Sequence, residues 1–190
     1  MSLDFQGKSI MVEKIDQAVG GACPKAITDC LRDALCEMIP DPRIQLPACV
    51  FEHHPDHYCR RLLHQDHRHG YSILAMTWGP GQGTPVHDHA GMWCVEAVWQ
   101  GQIEVVQYEL MEQAGERFRL EPRTTMRTGV GSAGSLIPPH EYHTIANPDQ
   151  RQAAVTLHIY AGEMDHCSVF APEGSDWYYR QDRRLSLDAA

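Results

Sequence analysis

The stretch from Gly81 to Gly101 constrains the fold of this chain most, because it places two closely spaced histidines between glycines. It reads GQGTPVHDHAGMWCVEAVWQG. His87 and His89 are two residues apart, so on an extended strand both imidazoles project from one face and can bind one metal ion together. The glycines at the two ends favour turns. The pattern predicts the metal-binding half of a small β-barrel.

The spacing G-x5-H-x-H-x4-C-x6-G resembles the first motif of the cupin family. In the common form of that motif a glutamate stands where this chain has Cys94, so the resemblance implies ligation by histidines alone. The later segment PPHEYHTIAN offers His140 and His143 as a third ligand. It is similar to the second cupin motif, P-x-G-x-x-H-x-x-x-N, in which Pro138, His143 and Asn147 match and His140 takes the glycine position. We therefore predict His143 as the third ligand.

The composition limits the class of protein. A length of 190 residues fits one domain that can bury a substantial core without disulfides. The net charge of −9, without long basic runs, argues against nucleic acid and anionic membranes as partners. Seven irregularly spaced cysteines, no signal peptide and no apolar run of about 20 residues predict a soluble cytoplasmic protein with mostly reduced thiols. The sequence leaves the oligomeric state open.

Two helices are predicted before a series of strands. Apolar residues recur at four-residue steps from Ser9 to the Gly20-Gly21 pair, and again from Pro24 until Pro40. Short β-like segments separated by turn residues follow, as in a barrel or sandwich. The predicted strands are 58–63, 71–78, 93–99, 102–110, 116–120, 124–128, 134–137, 142–146 and 153–160.

These elements predict a mostly β fold, a cupin (jelly-roll-like) β-barrel with a short N-terminal helical segment. Within a single domain, residues 1–45 form helices packed on the barrel, residues 46–175 form the barrel, and residues 176–190 form a C-terminal tail. The six histidines between residues 53 and 69 are irregularly spaced in a polar stretch. We interpret that stretch as a solvated loop and not as a second metal site.

The predicted strand 153–160 has two different faces. One carries Val155, Leu157 and Ile159, and the other carries Thr156, His158 and Tyr160. A strand with one apolar and one mixed face lines something polar on its mixed side. If the barrel holds a metal, Thr156, His158 and Tyr160 should form a hydrogen-bonded row beside it.

From Tyr58 to Phe170 the chain resembles the cysteine dioxygenases, cupin enzymes with one non-haem iron. The resembling segments are YCRRLL, WGPGQGTPVHDH, Cys94, HTIAN, TLHIY and DHCSVF. The resemblance implies an iron-dependent oxidoreductase of cysteine catabolism that adds both atoms of O2 to the sulfur of L-cysteine, giving cysteine sulfinic acid.

The resemblance also implies roles for individual residues. His87, His89 and His143 would bind Fe(II), and Cys94 would form a thioether bond with Tyr160, as in part of the family. Thr156, in place of the family's serine, would complete a relay with His158 and Tyr160. Arg60 would hold the substrate carboxylate beside Tyr58, and Cys167 would lie near the entrance.

Physical chemistry agrees with these roles. Three neutral imidazoles leave half of an octahedral iron open for a small thiol and O2. A buried substrate carboxylate needs a partner, and an arginine provides two charge-assisted hydrogen bonds. Arg60 and Arg61 are adjacent on a predicted strand, so only one can point inward. The Y-x-R frame of the resemblance selects Arg60, and we expect the loss of Arg61 to have little effect.

Three alternatives remain open from the sequence. The first is a dioxygenase for 3-mercaptopropionate or another small thiol, against which Arg60 argues. The second is another cupin enzyme, such as an isomerase, which would more naturally keep a glutamate at the position of Cys94. The third is a non-enzymatic cupin that binds a metal or ligand as a sensor, in which the relay of Thr156, His158 and Tyr160 would have no purpose.

Overall fold

A computed structural model describes residues 2–189 of the chain. Two α-helices, α1 (Lys8–Val19) and α2 (Pro24–Met38), precede a short 3-10 helix at Ala48–Phe51. Both predicted helices are confirmed, and Pro24 occupies the first turn of α2, where its missing N–H costs nothing. The strands are β1 (Cys59–Asp66), β2 (Tyr71–Trp78), β3 (Val86–His87), β4 (Cys94–Gln100), β5 (Gln102–Ala114), β6 (Arg117–Gly129), β7 (Ala133–Leu136), β8 (His143–Ala146), β9 (Ala154–Tyr160), β10 (His166–Gly174) and β11 (Trp177–Arg184).

The strands form two antiparallel sheets. The first has the order β1-β2-β9-β4-β7. The second is a ring of six strands in the order β10-β11-β6-β5-β8-β3, which closes because β3 pairs with both β8 and β10. The first sheet does not join this ring, so the fold is a jelly-roll-like arrangement of two sheets and not one continuous barrel. The predicted mostly β, cupin-like fold class is confirmed.

The helices cover the outer face of the first sheet. Leu31 and Leu35 of α2 belong to the same buried cluster as Val155, Leu157 and Ile159 of β9. The apolar face predicted for this strand is therefore confirmed, and α1 contributes its own buried side chains to the same cluster. Truncating one such leucine to alanine typically costs about 2–5 kcal/mol, so this layer contributes strongly to stability.

The inner faces of the two sheets meet in a second apolar layer. Trp78 and Val98 of the first sheet share a buried cluster with Ile103, Val105 and Ile145 of the second sheet. Polar side chains of β9 point into this same inter-sheet space, because alternate residues of a strand face opposite sides. The fold thus provides an apolar-walled interior in which a few polar groups are concentrated.

The structure differs from the sequence prediction in three places. The histidine-rich stretch is a loop only in part, because β1 extends to Asp66. The two strands predicted at 116–120 and 124–128 are one strand, β6, whose pairing with β5 shifts at two irregularities. Strands β3, β10 and β11 were not among the predicted strands, and β11 lies in the residues assigned to a tail. The exposed, charged residues of β11 hide its alternation.

The residues after β11 lie along β1. The backbone N–H of Asp188 donates to the carbonyl of Arg60 at 2.8 Å, and the Asp188 carboxylate accepts from the backbone N–H of Arg60 at 2.8 Å. Leu185 is tied to the loop before β10, since its N–H donates to the carbonyl of Asp165 at 2.8 Å. This C-terminal segment, residues 185–189, therefore covers the outer edge of β1. Between residues 2 and 189, no helix is long and apolar enough to cross a membrane.

Candidate metal centre

Three histidines converge at one end of the inter-sheet space. His87 ends β3, His89 follows it in the next loop, and His143 begins β8 directly opposite His87 in the sheet. One ring nitrogen from each lies within 4.8 Å of the others. The ring centroids of His87 and His143 are 4.2 Å apart, and those of His89 and His143 are 4.9 Å apart. The predicted triad is therefore brought together, whereas His140 is exposed and outside it.

The hydrogen bonds of the triad leave ring nitrogens free to bind a cation. Nδ1 of His143 lies 2.8 Å from the carbonyl oxygen of Glu141, and Nδ1 of His87 lies 3.2 Å from that of Pro85. A carbonyl only accepts, so each Nδ1 carries the hydrogen and each Nε2 keeps its lone pair. Nε2 of His143 and Nδ1 of His89 are buried without a hydrogen-bond partner. Such orphaned nitrogens fit a metal site.

The triad is held in the protonation state that metals require. Burial lowers the pKa of His87 to about 4. Burial, reinforced by the neighbouring histidines, lowers the pKa values of His89 and His143 well below the usual range. Neutral imidazoles are the metal-binding form, so no proton has to be displaced at neutral pH.

A tight turn carries the chain from the triad to the first sheet. Strand β3 ends at His87, so His87 and His89 do not lie on one extended strand, although their spacing suggested it. Ala90 and Gly91 both have positive φ, 53° and 78°, and the N–H of Met92 donates to the carbonyl of His89 at 3.0 Å. This geometry is that of a type I′ turn. It returns Cys94 to the interior, where its side chain is buried.

Cys94 and Tyr160 face each other across two neighbouring strands. They are directly opposite in the register of β4 and β9, and both side chains are buried. Burial raises the pKa of the Cys94 thiol well above its usual value, Glu96 raises it further, and a hydrogen bond with Tyr160 lowers it. The ring of Tyr160 also contacts His89, with centroids 5.3 Å apart. The pair therefore lies beside the triad.

The predicted polar row on β9 is a hydrogen-bonded chain. Oγ1 of Thr156 is 2.7 Å from Nε2 of His158, whose Nδ1 is 3.3 Å from the hydroxyl of Tyr160. Burial, together with Arg60 and His87, lowers the pKa of His158 to about 3, so its ring is neutral at physiological pH. Burial raises the pKa of Tyr160 well above its usual value, so the phenol remains a hydrogen-bond donor.

Arg60 and Tyr58 form another wall of the same pocket. The pocket is lined by both of them, by the three histidines, and by His158 and Tyr160. The Arg60 guanidinium donates to the carbonyls of Met164 at 2.7 Å and Ser186 at 3.0 Å. These two bonds fix the group in the interior, where Arg60 is 5% exposed. Cys167 also lines the pocket.

Comparison with known proteins identifies the family. The sequence model described as cysteine dioxygenase type I matches residues 49–173, which include the triad, the polar row and Arg60. This chain belongs to the cysteine dioxygenase type I family.

Individual relatives are distant. Cysteine dioxygenase type 1 of Rattus norvegicus is 25% identical over 114 residues, which cover 60% of this chain and 55% of the relative. The Homo sapiens protein of the same name is 24% identical with the same coverage. The chain thus spans about half the length of the curated relatives it matches. Its membership of the family implies a metal cofactor, for which the triad supplies fitting ligands.

Two bacterial proteins are among the solved structures that are similar to this chain. TT1209 from Thermus thermophilus is 18% identical, with a TM-score of 0.48 and coverage of 63% of this chain and 96% of that one. A cupin superfamily protein from Desulfitobacterium hafniense is 15% identical, with a TM-score of 0.44 and coverage of 65% and 94%.

The asparagine that ends the second motif has a structural role in this family member. The side-chain amide of Asn147 is buried and donates to the carbonyls of Trp78 at 3.1 Å, Gly79 at 3.2 Å and Gln152 at 2.8 Å. It thereby joins the end of β2 to the loop after β8. Because β8 begins with His143, this anchoring holds one ligand strand against the first sheet.

Arg61 is buried, although it was Arg60 that the sequence predicted to point inward. It is 7% exposed, and its guanidinium donates to Oγ1 of Thr77 at 3.2 Å and to the carbonyl of Glu52 at 3.0 Å. Arg61 does point to the opposite face of β1 from Arg60. The segment around the 3-10 helix covers that face and buries the side chain. Replacing Arg61 would leave buried acceptors unpaired, so in place of little effect we expect this substitution to lower stability.

Glu96 is a residue of the site region that the sequence analysis missed. It lies on β4 directly opposite His158, is 8% exposed, and its Oε2 is 3.4 Å from Nδ1 of His158. A signal was present, because Glu96 is the single acid in the otherwise apolar run CVEAVW and shares the face of Cys94. Arg183 and Leu185, which also line the pocket, were missed because they lie in the predicted tail.

The buried Glu96 carboxyl predicts a pH-dependent stability. Burial raises the pKa of Glu96 from 4.5 to about 7. Between these values the unfolded chain has lost this proton and the folded chain has kept it, so the contribution of Glu96 to stability falls as pH rises and is lost above about pH 7. Relative to the parent, Glu96→Gln should gain stability with rising pH, by up to about 3 kcal/mol.

Urea unfolding of both proteins across this pH range measures the difference. The exposed Glu163 provides a matched control, and Glu163→Gln should track the parent at every pH. A constant difference between Glu96→Gln and the parent would contradict the assigned burial of the charge.

Proposed function

We propose that this chain is an iron-dependent thiol dioxygenase that adds both atoms of O2 to the sulfur of L-cysteine, giving cysteine sulfinic acid. The observation that carries the proposal is the set of side chains that line one pocket. Three neutral histidines, a buried arginine and a tyrosine that is hydrogen-bonded to a buried histidine all face the same small space. An isomerase or a passive ligand-binding cupin has no need for this combination.

His87, His89 and His143 would hold the metal through ring nitrogens that have no other use in the structure. Three nitrogen ligands leave open positions, as non-haem iron oxygenases require. Bound Fe(II) would supply the one-electron chemistry that O2 needs and would favour the thiolate form of the substrate. The apolar surroundings keep the imidazoles neutral, in keeping with the lowered pKa of His87.

Arg60 and Tyr58 would bind the substrate carboxylate. A guanidinium has five N–H donors, and the carbonyls of Met164 and Ser186 engage two of the nitrogens of Arg60. Donors therefore remain for a carboxylate in the pocket, and the two carbonyl contacts orient them in advance. No ion pair joins Arg60 to a carboxylate among residues 2–189, so a buried positive charge awaits an anionic partner.

Tyr160 would place its hydroxyl next to the reacting sulfur. Its ring packs against His89, and its raised pKa keeps the phenol protonated as a donor. His158 and Thr156 hold that hydroxyl in place through the hydrogen-bonded chain on β9. The role of the tyrosine is to donate a hydrogen bond to charge that develops on the substrate during oxygen transfer.

Thiol-dependent oxygen uptake tests this function. The iron-loaded protein should consume O2 with L-cysteine, and mass analysis should show a product heavier than cysteine by two oxygen atoms. Parallel assays with 3-mercaptopropionate and cysteamine determine the substrate. Faster turnover of 3-mercaptopropionate than of cysteine would overturn the substrate assignment. Metal binding without oxygen uptake on any of the three thiols would instead indicate a sensor or storage protein.

A thioether between Cys94 and Tyr160 is a further expected outcome. Their strands place the two side chains directly opposite each other, and both side chains are buried. With O2 as oxidant, the Cys94 sulfur would bond to the ring carbon beside the Tyr160 hydroxyl, and two hydrogens would be lost. Cross-linking fixes the tyrosine rotamer and should raise turnover modestly without being essential.

Peptide mass analysis after turnover measures this bond. A fraction of chains should contain linked Cys94 and Tyr160 peptides that are two hydrogens lighter than the separate pair. Cys94→Ser should abolish the link, whereas Cys30→Ser, at an exposed cysteine, should preserve it. Unlinked peptides in every turned-over sample of the parent would contradict the prediction.

A further inference from the structure

Glu96 is a buried carboxyl group with no assigned task. Its Oε2 is buried and makes no hydrogen bond that satisfies ordinary geometry, although Nδ1 of His158 is within 3.4 Å. A buried acid without a strong partner is costly, so its position directly opposite His158 calls for an explanation. The proposed oxidation of cysteine gives it no direct part, because it is not among the residues that line the metal pocket.

The far end of the hydrogen-bonded chain around His158 favours one direction for its hydrogens. The indole N–H of Trp78 can only donate, and it lies 2.9 Å from Oγ1 of Thr156. The hydroxyl hydrogen of Thr156 is then free to donate to Nε2 of His158, 2.7 Å away. With Nε2 accepting, the one hydrogen of the neutral His158 ring is on Nδ1.

Nδ1 of His158 has two neighbours that could accept its hydrogen. The Tyr160 hydroxyl is 3.3 Å away, and the Glu96 carboxylate is 3.4 Å away. A carboxylate is much the stronger acceptor, and it has no hydrogen of its own to offer when ionised. Without Glu96 the opposite arrangement becomes available, in which Tyr160 donates to Nδ1 and the ring hydrogen moves to Nε2.

We propose that Glu96 is a positioning residue that holds the hydrogen of His158 on Nδ1, so that the Tyr160 hydroxyl cannot donate to His158 and instead directs its hydrogen into the metal pocket. The proposal deepens the proposed function and rests on it for its catalytic consequence. Its structural content, the position of one hydrogen on His158, does not depend on iron or on turnover.

A second cavity supports this role for Glu96. It has a volume of about 100 Å³, is distinct from the metal pocket, and is lined by Glu96 and Thr156, which lie on either side of His158 in the chain of hydrogen bonds. Gly134, opposite Glu96 on β7, adds no side chain that would close this space. Of the residues that line the cavity, Glu96 is the titratable one. The carboxyl group can therefore exchange its proton without passing it through the metal pocket.

The ionisation of Glu96 should reverse the direction of the chain. Burial raises the pKa of Glu96 to about 7. Once protonated, Glu96 becomes a donor to Nδ1, and the hydrogen of His158 moves to Nε2. The titratable groups that face Glu96 are His158 and Tyr160 on β9 and Cys94 on its own strand, and β7 presents Gly134. His158, with its pKa lowered to about 3, and Tyr160 and Cys94, with pKa values that are raised, keep their protonation states through this range.

The test uses nitrogen-15 NMR of histidine-labelled, metal-free protein, in which two-bond proton couplings show which ring nitrogen carries the hydrogen. The His158 signals are assigned by their absence in His158→Gln. Above the titration of Glu96, the parent should carry the hydrogen on Nδ1. Glu96→Gln, whose amide oxygen can accept, should do the same at every pH. Glu96→Leu, of similar size but without an acceptor, should carry it on Nε2.

The catalytic consequence is measured on the iron-loaded proteins with L-cysteine. Glu96→Leu should lower kcat by about 10- to 100-fold, while the KM for cysteine changes little. This range is typical for loss of a group that orients another functional side chain, such as a metal ligand. Glu96→Gln should keep most of kcat and should lose the rise in kcat with pH that the parent shows near neutrality.

Several results would overturn the proposal. A hydrogen on Nε2 of His158 in the parent above the titration of Glu96 is one, and an unchanged tautomer and kcat in Glu96→Leu is another. If Glu96→Leu does not fold, the test relies on Glu96→Gln. A His158 tautomer that switches with pH in Glu96→Gln, as it does in the parent, would also overturn the proposal. Failure of the parent to consume O2 with any thiol would refute the proposed function and leave the NMR result to decide the role of Glu96.

Discussion

His143→Ala is expected to lose most bound iron and nearly all thiol-dependent oxygen uptake while the protein stays folded. His143 supplies a buried ring nitrogen that has no other partner and lies with His87 and His89 within ligand distance. Loss of groups that merely orient a metal ligand costs about 10- to 100-fold in affinity or activity, so loss of a ligand should cost more than about 100-fold. Metal analysis and oxygen uptake, with circular dichroism to verify folding, measure the effect.

His140→Ala is the matched control for this prediction. His140 lies three residues earlier, in the same proline-rich segment, but its side chain is exposed. The His140→Ala variant should keep its iron and most of its activity. His87→Ala and His89→Ala should behave like His143→Ala. If His140→Ala lost the iron while His143→Ala retained it, the third ligand would be His140.

Arg60→Ala is expected to raise the KM for cysteine strongly and to affect cysteamine much less, because cysteamine has no carboxylate. Removing one partner of a buried charge pair costs about 2–5 kcal/mol, which corresponds to roughly 30-fold to several thousand-fold. The substitution also frees the carbonyls of Met164 and Ser186. Such structural damage affects both thiols, so the ratio of kcat/KM for cysteine to that for cysteamine isolates the carboxylate contact.

Arg184→Ala is a better control for Arg60 than a change at the adjacent Arg61. Arg184 is exposed at the end of β11, whereas Arg61 is buried in hydrogen bonds to Thr77 and Glu52. The control should leave the ratio between the two thiols unchanged. Equal losses on cysteine and cysteamine in Arg60→Ala would show that Arg60 supports the pocket without binding the carboxylate.

Much of the site could be predicted because its signals are local. His87 and His89 are two residues apart, and the second motif selects His143 by short spacings. The same two-residue period separates Thr156, His158 and Tyr160 from the apolar face of their strand. The helices were equally predictable, because each has its own apolar stripe and its own terminating residues. These features follow from backbone periodicity, which does not depend on distant parts of the chain.

Other features depend on which strand lies next to which. Alternation correctly placed Arg60 and Arg61 on opposite faces, but it could not show that the 3-10 helix region covers the second face and buries Arg61. Strand β11 escaped prediction because most of its residues are exposed, and its pairing with β10 and β6 decides that it is a strand. The position of the C-terminal segment, residues 185–189, is likewise set by its contacts with β1.

The sequence by itself therefore determined the metal-binding histidine pattern, the helices, the apolar and polar faces of β9 and the membership of a β-rich fold class, because all of these are written in spacings of a few residues. Tertiary structure alone decided that Cys94 and Glu96 lie opposite Tyr160 and His158, because strand register joins residues far apart in the chain. It also decided which charges are buried, since burial depends on what the rest of the fold places over each side chain.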